Sequence, residues 1–451
     1  KILLAIFYSL IVAGSTASIA WLLDPAIEKL FVERDQSLLI IIPALIVLAF
    51  SMKGIFLYLS KTTMITVGED LKATLTADMA KKLINADSDY IDEKHTGKFI
   101  SNLTFDTGMI SNLVSTTVLN LFKDSFTLIG LLIVMFLQNW KLSLIAIIMI
   151  PLAAIASKSL GKRIGKVSTE AQEQSGHLHT HLIEVFKNHK LIKIFQKEKS
   201  EQKRVNTYIN SLRDKAKKIC FVFVRATPIM ETLTGIMIAV LIWYSGLLMV
   251  AGELKINNFF SFLAAMMLAY QPVRSLATVS MGANQGLSAA KRILPILDTQ
   301  NKISEKENST ELKVGKGDIT FKNVTFKYKT SSGKILKSLN LKIVGGKMNA
   351  LVGHSGAGKS TVLNLIPRFF NCTDGDILID NQSINSLTVE SLRRNISLVS
   401  QDTTLFDDTI KNNIAYANSA ATNDEIINAS KEALAHDFIE KLPEQYNTQI
   451  G

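Results

Sequence analysis

Cysteine is almost absent from this chain, since only Cys220 and Cys372 occur in 451 residues. Two cysteines so far apart give neither a disulfide framework nor the spacing of a metal site, which excludes both kinds of scaffold. Acidic residues are also in deficit, with 39 against 50 lysines and arginines and a net charge of +11. Such a balance occurs in nucleic-acid-binding proteins and in membrane proteins with basic cytoplasmic loops.

An initiating methionine is missing as well, because the sequence begins at Lys1. We therefore expect a segment of a longer chain. A chain of 451 residues is too long for a single hydrophobic core, so two or more domains are predicted. A hydrophobic fraction of 47% and a mean hydropathy of +0.23 are high for a soluble protein and ordinary for a membrane protein.

Long apolar runs are abundant, and they predict six membrane spans at 2–23, 38–59, 122–137, 142–160, 221–249 and 259–281. The first run could instead be a signal peptide cleaved after Ser18-Ile19-Ala20, but it exceeds the roughly 7–15 residues of a signal core. Short loops join the spans on one side. On the other side are long polar stretches with helical periodicity, which we expect to be the spans continuing into the cytosol.

The basic residues are concentrated in these cytosolic stretches. Residues 158–220 alone contain fifteen bases and six acids. This distribution favours a membrane topology with a basic cytosolic side. No basic groove with interleaved aromatic residues occurs in the sequence, so no nucleic-acid partner is predicted.

One short stretch fits the P-loop pattern G-x-x-x-x-G-K-[ST], and it consists of Gly353, His354, Ser355, Gly356, Ala357, Gly358, Lys359, Ser360 and Thr361. Its glycines let several backbone N–H groups converge on a polyphosphate at a helix N-terminus. Lys359 is expected to reach the β- and γ-phosphates of ATP, and the Ser360 hydroxyl to ligate Mg²⁺. The alternative is a purely structural glycine turn.

The surroundings of this P-loop predict an α/β nucleotide-binding domain. Strand-like runs occur at 319–326, 339–343, 348–352, 376–379 and 396–399, and helices alternate with some of them. Directly after the loop, Val362, Leu363, Leu365 and Ile366 are predicted to form one face of a short helix. The expected division is a membrane domain at 1–295, a linker at 296–317 and an incomplete ATP-binding domain at 318–451.

Further motifs extend the ATP site. Tyr328 ends the run Val-Thr-Phe-Lys-Tyr, Gln401 ends Leu-Val-Ser-Gln, and Leu-Phe-Asp-Asp-Thr-Ile follows at 405–410. With the six spans, these motifs resemble ABC exporter half-transporters over essentially the whole chain. The resemblance implies that Tyr328 stacks on adenine, although a core aromatic is the alternative. It also implies that Gln401 contacts Mg²⁺ and the attacking water, so that Lys359 and Gln401 take part in catalysis.

Within that family the chain looks most similar to the lipid A exporters. The likeness is carried by Asp92, Trp140, Pro151, Pro228 and Pro272 together with their neighbours. It implies ATP-driven export of lipid A or a related phosphoglycolipid by a homodimer in the bacterial inner membrane, with the ATP-binding domain in the cytoplasm. The family's signature loop, second acidic motif and switch histidine are expected beyond Gly451, so hydrolysis is assigned to the parent protein.

Ionisable residues inside spans are candidates for function. Lys53, Lys158 and Arg274 lie in the cytosolic halves of three spans and match basic residues that contact the lipid's phosphates in the resembled exporters. The alternative for each is a snorkelling side chain. Glu231 lies near the middle of the fifth span and is either paired with a base or a proton or cation site.

Two other functions remain open from the sequence. One is a multidrug or peptide exporter on the same scaffold, and the other is a membrane-anchored P-loop kinase or sensor. A histidine group at 177, 179, 181 and 189 also suggests a metal site. Because His179 points away from the helix face that His177 and His181 share, a solvated surface is the favoured interpretation.

Overall fold

The computed structural model describes residues 1–93, 96–301, 303, 305, 308–329, 331, 333–400 and 405–450. Within these ranges the side chains at 96, at 148–165 and at scattered helix positions between 168 and 281 are outside the description. The chain forms two compact units, Lys1–Asn301 and Lys302–Gly451. The division falls inside the predicted linker, 296–317. The two units are described separately below.

The first unit, called here the membrane unit, is helical. Its α-helices are α1 (Ile2–Pro25), α2 (Ile41–Ile84), α3 (Ser88–Asp92), α4 (Thr96–Ser101), α5 (Thr107–Asn112), α6 (Leu119–Gln138), α7 (Trp140–Lys187), α8 (His189–Ile194), α9 (Glu198–Val250) and α10 (Ile256–Leu297). Turns of π-helix occupy Ala26–Val32, Asn102–Asp106 and Leu113–Val118, and a 3₁₀ turn occupies Gln36–Leu38.

The polar stretches that follow the second and fourth predicted spans and precede the fifth are helical, in continuation of those spans. Helices α2, α7 and α9 contain 44, 48 and 53 residues. At 1.5 Å per residue they are about 66–80 Å long, more than twice the roughly 30 Å of a bilayer core. The stretch between α2 and α6 is divided into short helical pieces, and the six-residue α8 separates α7 from α9.

The helices α1, α2, α6, α7, α9 and α10 occupy the six predicted spans. Within the described residues, three segments are long and apolar enough to cross a membrane, namely Ile2–Val32, Gln36–Ile84 and Gly97–Gln138, and Gly235–Val250 is a shorter apolar helix segment. Only 11% of the apolar window of the second segment is buried, so most of its apolar side chains face outward. Such a surface suits lipid and not water.

One apolar cluster in the interior of the membrane unit joins five of these helices, and Ala20 of α1 belongs to it. Leu131 of α6, Leu142 of α7, Leu241 of α9 and Phe262 of α10 are each at most 1% exposed and belong to one apolar cluster. The tight turn before α7 has a local cause, because the Asn139 side chain accepts hydrogen bonds from the first free N–H groups of that helix. The short loops that follow α1, α6 and α9 meet at one end, called here the short-loop end, where Asp24 contacts Gln138 and Asn257.

The second unit is called here the ABC unit, after the exporter family that its P-loop and neighbouring motifs resemble. It has one larger sheet. Its strands are β1 (Ile319–Phe326), β2 (Leu336–Ile343), β3 (Asp374–Ile379) and β4 (Gln382–Ser383), in the order β2-β1-β3-β4 with antiparallel pairing throughout. A small second sheet pairs β5 (Asp408–Thr409) with β6 (Gln449–Ile450). The helices are α11 (Lys359–Leu365), α12 (Val389–Arg394), α13 (Ile410–Ile414), α14 (Asn423–Glu432) and α15 (His436–Ile439).

Two predicted strands of the ABC unit are wrong. Neither 348–352 nor 396–399 forms a strand, and Met348, Val352 and Val399 are 101%, 93% and 92% exposed. An apolar, β-branched run becomes a strand only where a neighbour pairs its N–H and C=O groups. In the described part of the chain these two runs have no pairing strand, because β1 already has β2 and β3 on its two sides.

Candidate functional site

The P-loop backbone adopts the conformation that its glycines permit. Gly356 and Gly358 have φ angles of +81° and +87°, in the region that favours glycine. Gly358 also packs closely, because a Cβ there would lie 2.8 Å from Cδ2 of Leu336. It is the N-cap of α11, so the loop passes directly into the helix N-terminus. This is the arrangement that aims backbone N–H groups at an anion.

The Lys359 side chain folds back onto the P-loop. Its Nζ donates to the carbonyl oxygens of Gly353 and His354, at 2.8 Å each. Ser360, the next residue, is exposed in the first turn of α11. An ammonium group and a free hydroxyl therefore lie together at the helix N-terminus. This donor set fits a polyphosphate and a hard cation that prefers oxygen ligands.

Helix α11 packs against the core of the ABC unit through one buried face. Thr361, Val362, Leu365 and Ile366 are buried, with Leu365 fully so. Leu363 is 47% exposed, so the prediction that it shares this face is wrong. The error is one of angle, because Leu363 is turned about 100° from Val362 on a helix of 3.6 residues per turn. The remaining contacts fix α11, and with it the loop, to the core of the ABC unit.

Tyr328 lies beside the P-loop. Its ring packs edge-on against Phe326 and Phe370, with ring centroids 4.7 and 5.1 Å apart. Its hydroxyl donates to Oγ1 of Thr361 at 3.3 Å. The ring is half-buried, so one part supports the core and another part faces outward at the loop. Adenine stacking on Tyr328 stays a prediction, and Gln401 lies outside the described residues.

The predicted substrate residues lie on three helices. Lys53 is half-buried on α2 and Arg274 is exposed on α10, while Lys158 lies in α7 with its side chain outside the described part. Measured along the helices from the short-loop end, Lys53 lies about 18 Å in, and Lys158 and Arg274 each about 27 Å. All three therefore lie farther from the short-loop end than about 15 Å, half the thickness of a bilayer core.

Sequence reasoning missed two charges near Lys53. Lys123 and Asp124 on α6 lie about 22 Å from the short-loop end. Lys123 is close enough to Lys53 for their charges to interact, and its Nζ is 3.1 Å from Oδ1 of Asp124. The signal in the sequence was their position, since both charges fall inside the apolar run that begins at residue 122.

The other candidates give no further site. Glu231 is exposed on α9. His177, His179 and His189 are exposed as predicted, but His181 is not: its side chain is 11% exposed, and its Nε2 is 3.2 Å from the Glu201 carboxylate. The reason is that α9 packs against this face of α7. No group of three or more potential metal ligands occurs in the part of the chain that the structure describes.

A helical membrane unit joined to a P-loop unit defines a transport ATPase of the ABC class. The family model for the ABC transporter transmembrane region matches residues 2–273, and the model for the ABC transporter domain matches residues 336–450. The chain belongs to the ABC transporter family. This result confirms the predicted fold class, a six-helix membrane domain followed by an α/β P-loop domain.

The chain is also similar to individual members of this family. The chain is 36% identical to the ATP-dependent lipid A-core flippase of Desulfotalea psychrophila, over 99% of this chain and 78% of the relative. It is 30% identical to the Escherichia coli K12 protein of the same description, over 97% of this chain and 75% of that protein. The solved structure of a bacterial Atm1-family ABC exporter with ATP bound superposes with a TM-score of 0.81 at 24% identity, covering 99% of this chain and 79% of that one. That structure supports the exporter fold.

Proposed function

We propose that this chain flips or exports lipid A or a related phosphoglycolipid across the bacterial inner membrane, using ATP and working as a homodimer with its ABC unit in the cytoplasm. The observation that carries the proposal is the set of basic residues at similar depth on separate helices: Lys53, Lys123 and Arg274. Lys158 of α7 stays in the set as a prediction. Cations in a membrane interior are costly, and phosphate groups of a lipid substrate compensate them.

The ABC unit supplies the energy in this proposal. Lys359 would bind the β- and γ-phosphates at the loop, and Ser360, with Gln401, would hold Mg²⁺, which would supply positive charge next to the phosphoryl group. Tyr328 contributes the flat ring for adenine. Two copies of the unit enclose two ATP molecules, and the difference in ATP affinity between the two states of the dimer shifts the population toward the outward-open state. Hydrolysis, in which water attacks the γ-phosphoryl group of ATP and ADP leaves, returns the dimer to its first state.

Because the relatives extend beyond the matched part, the test uses the full-length transporter in liposomes. Lipid A is expected to stimulate its ATPase activity, whereas uncharged drugs are not. Lys53→Ala and Arg274→Ala should each raise the half-saturating lipid concentration about tenfold, the loss of about 1.4 kcal/mol of ionic contact. Lys255→Ala is the matched control, since Lys255 is an exposed base at the short-loop end. Unchanged stimulation in both the Lys53 and the Arg274 variant contradicts the proposal.

The multidrug exporter is the second candidate. The many exposed apolar side chains of α2 would favour it only if they bound substrate, and the charges on α2 and α6 argue for an anionic ligand. The same liposome assay distinguishes the two functions, because a drug exporter responds to hydrophobic cations and ignores the phosphate groups of lipid A.

A further inference from the structure

Asp124 is the most buried carboxylate of the membrane spans described, with 4% of its surface exposed. It lies on the inner stripe of α6 together with Thr127 and Leu131. Its Oδ1 is 3.1 Å from the Lys123 ammonium, but its Oδ2 has no hydrogen-bond partner among the described residues. A buried carboxylate oxygen without a donor costs a few kcal/mol, so this arrangement needs a reason beyond stability.

A stable ion pair in the same unit looks different. Arg292 of α10 donates hydrogen bonds to both carboxylate oxygens of Asp106, from Nη2 to Oδ1 at 2.6 Å and from Nε to Oδ2 at 2.9 Å. Asp106 is as deeply buried as Asp124, at 5% exposure, yet each of its oxygens has a donor. Burial alone therefore does not account for the open oxygen of Asp124. The Lys123–Asp124 pair is made by one contact, which a competing anion can exchange.

The local charge balance shows what such an exchange requires. Lys53 and Lys123 contribute two positive charges, and Asp124 removes one, which leaves a net charge of about +1 for the three groups. An incoming anion has to compete with the Asp124 carboxylate for the Lys123 ammonium. A phosphomonoester carries about −1.5 to −2 near pH 7, whereas a phosphodiester carries a single charge of about −1. Only the monoester brings more charge than the carboxylate that it displaces.

We propose that Asp124 is an internal counter-ion that makes the Lys53–Lys123 site selective for phosphomonoester lipids over the phosphodiester lipids of the surrounding bilayer. It acts through Lys123, so it is a positioning residue and has no contact of its own with the substrate phosphate. The inference rests on the proposed function and deepens it, because it names the kind of phosphate that the exporter accepts. Bulk anionic phospholipids are thereby kept from the site although they greatly outnumber the substrate.

The experiment compares two lipids with identical acyl chains, phosphatidic acid as the monoester and phosphatidylglycerol as the diester. Each is titrated into liposomes of zwitterionic lipid that contain the full-length transporter, and ATPase stimulation is measured. The wild type should be half-saturated by phosphatidic acid at a concentration at least about tenfold below that for phosphatidylglycerol. In Asp124→Asn the ratio should fall below about threefold, mainly because phosphatidylglycerol becomes effective.

Three further variants identify the cause. Asp124→Ser, a second neutral replacement, should give the same low ratio, and Asp124→Glu should restore the selectivity because it returns the charge. Asp70→Asn is the matched control, since Asp70 is an exposed acid on α2 that pairs with Lys1. An unchanged ratio in both neutral variants, or an equal loss of response to both lipids, overturns the role of Asp124.

The two proposals fail in different ways. A wild type that responds to lipid A but prefers phosphatidic acid by less than about threefold contradicts the selectivity and leaves the exporter function standing. A wild type that responds to neither lipid A nor the two phospholipids contradicts the exporter function and the selectivity with it.

Discussion

Two buried polar clusters in the membrane unit differ in how completely their hydrogen bonds are made. At the short-loop end, Asp24 accepts from Asn257 through Oδ1 and from Gln138 through Oδ2 at 3.2 Å, and Gln138 accepts from Asn258 at 2.7 Å. We call these four residues the outer cluster. The inner cluster consists of Lys53, Lys123 and Asp124, and there one carboxylate oxygen is left without a partner in the described residues.

The difference separates a structural role from a functional one. In the outer cluster both oxygens of Asp24 have donors, so hydrogen bonds fix α1, α6 and α10 to one another. In the inner cluster Oδ2 of Asp124 has no donor among the described residues, and the Lys123 ammonium has a single contact there, with Oδ1 of Asp124. Burial is similar in both, since Gln138 and Asn257 are 8% and 4% exposed and Asp124 is 4% exposed. The two clusters differ in whether both carboxylate oxygens have a hydrogen-bond donor, and not in how deeply they are buried.

The largest effect is expected from removing the centre of the outer cluster. Asp24→Ala leaves the buried amides of Asn257 and Gln138 without their acceptor, which should destabilise the membrane unit by about 2–3 kcal/mol. The measurement is the thermal unfolding midpoint of the full-length transporter in detergent. Asp24→Asn keeps one acceptor oxygen and should cost about half as much. A variant as stable as the wild type means that the network does not hold the helices.

The inner cluster should respond in the opposite way. Replacing all three charges, as Lys53→Met, Lys123→Met and Asp124→Asn together, leaves no buried charge without a partner and should leave the thermal midpoint unchanged or higher. The half-saturating lipid A concentration for ATPase stimulation should rise by at least about tenfold, since the phosphate loses its ionic partners. If this triple variant unfolds as readily as Asp24→Ala while its lipid response is kept, the assignment of roles to the two clusters is reversed.

The sequence predicted those parts of the chain in which local pattern determines structure. The P-loop is one, because only glycine suits the positive φ angles at positions 356 and 358, and these angles are observed. The long helices are another, since the apolar runs and the polar stretches with helical periodicity next to them predicted α2, α7 and α9, which are continuous helices. The ATP loop and the two-unit architecture thus followed from residue type and spacing.

Features that depend on a distant neighbour were not predicted. The apolar run at 348–352 has strand composition but no pairing strand in the described chain, and pairing cannot be deduced from composition. Lys123 and Asp124 were passed over because a lysine next to an aspartate looks like a local pair on a helix. Their relation to Lys53 depends on how α2 packs beside α6, which sequence spacing does not encode.

A smaller effect is expected where the outer cluster meets water. Lys255 pairs with Glu28 at 3.0 Å, and the Lys255 side chain is 73% exposed. Exposed pairs of this kind contribute about 0–1 kcal/mol, so Lys255→Met should shift the unfolding midpoint far less than Asp24→Ala. The comparison uses two polar contacts at the same end of the same unit. Equal effects of the two substitutions would show that satisfaction of buried groups is not what stabilises this end.

The smallest change in stability is expected for Asp380, a carboxylate of the ABC unit whose oxygens accept several backbone hydrogen bonds. Asp380 accepts hydrogen bonds from the backbone N–H groups of Gly317, Gly315 and Asp318, at 3.0, 2.7 and 2.9 Å. These bonds, that of Gly317 foremost, lower the pKa of the Asp380 carboxyl below its ordinary value of 3.8. A folded-state pKa below the unfolded one means that the stabilisation is present above the unfolded pKa and is lost as the pH falls through the folded value.

Asp380 therefore extends the comparison to a carboxylate whose hydrogen bonds can be weakened by protonation at low pH. Asp380→Asn should lower the unfolding midpoint of the ABC unit slightly at pH 7, and this difference from the wild type should shrink as the pH is lowered below about 4, where the carboxyl of the unfolded chain begins to protonate. The measurement is a pH series of thermal unfolding on the full-length transporter, with Asp374→Asn as a control acid that is exposed in the same unit. A difference between variant and wild type that grows toward acid pH contradicts the depressed pKa, because it requires a carboxylate that folding makes harder to ionise.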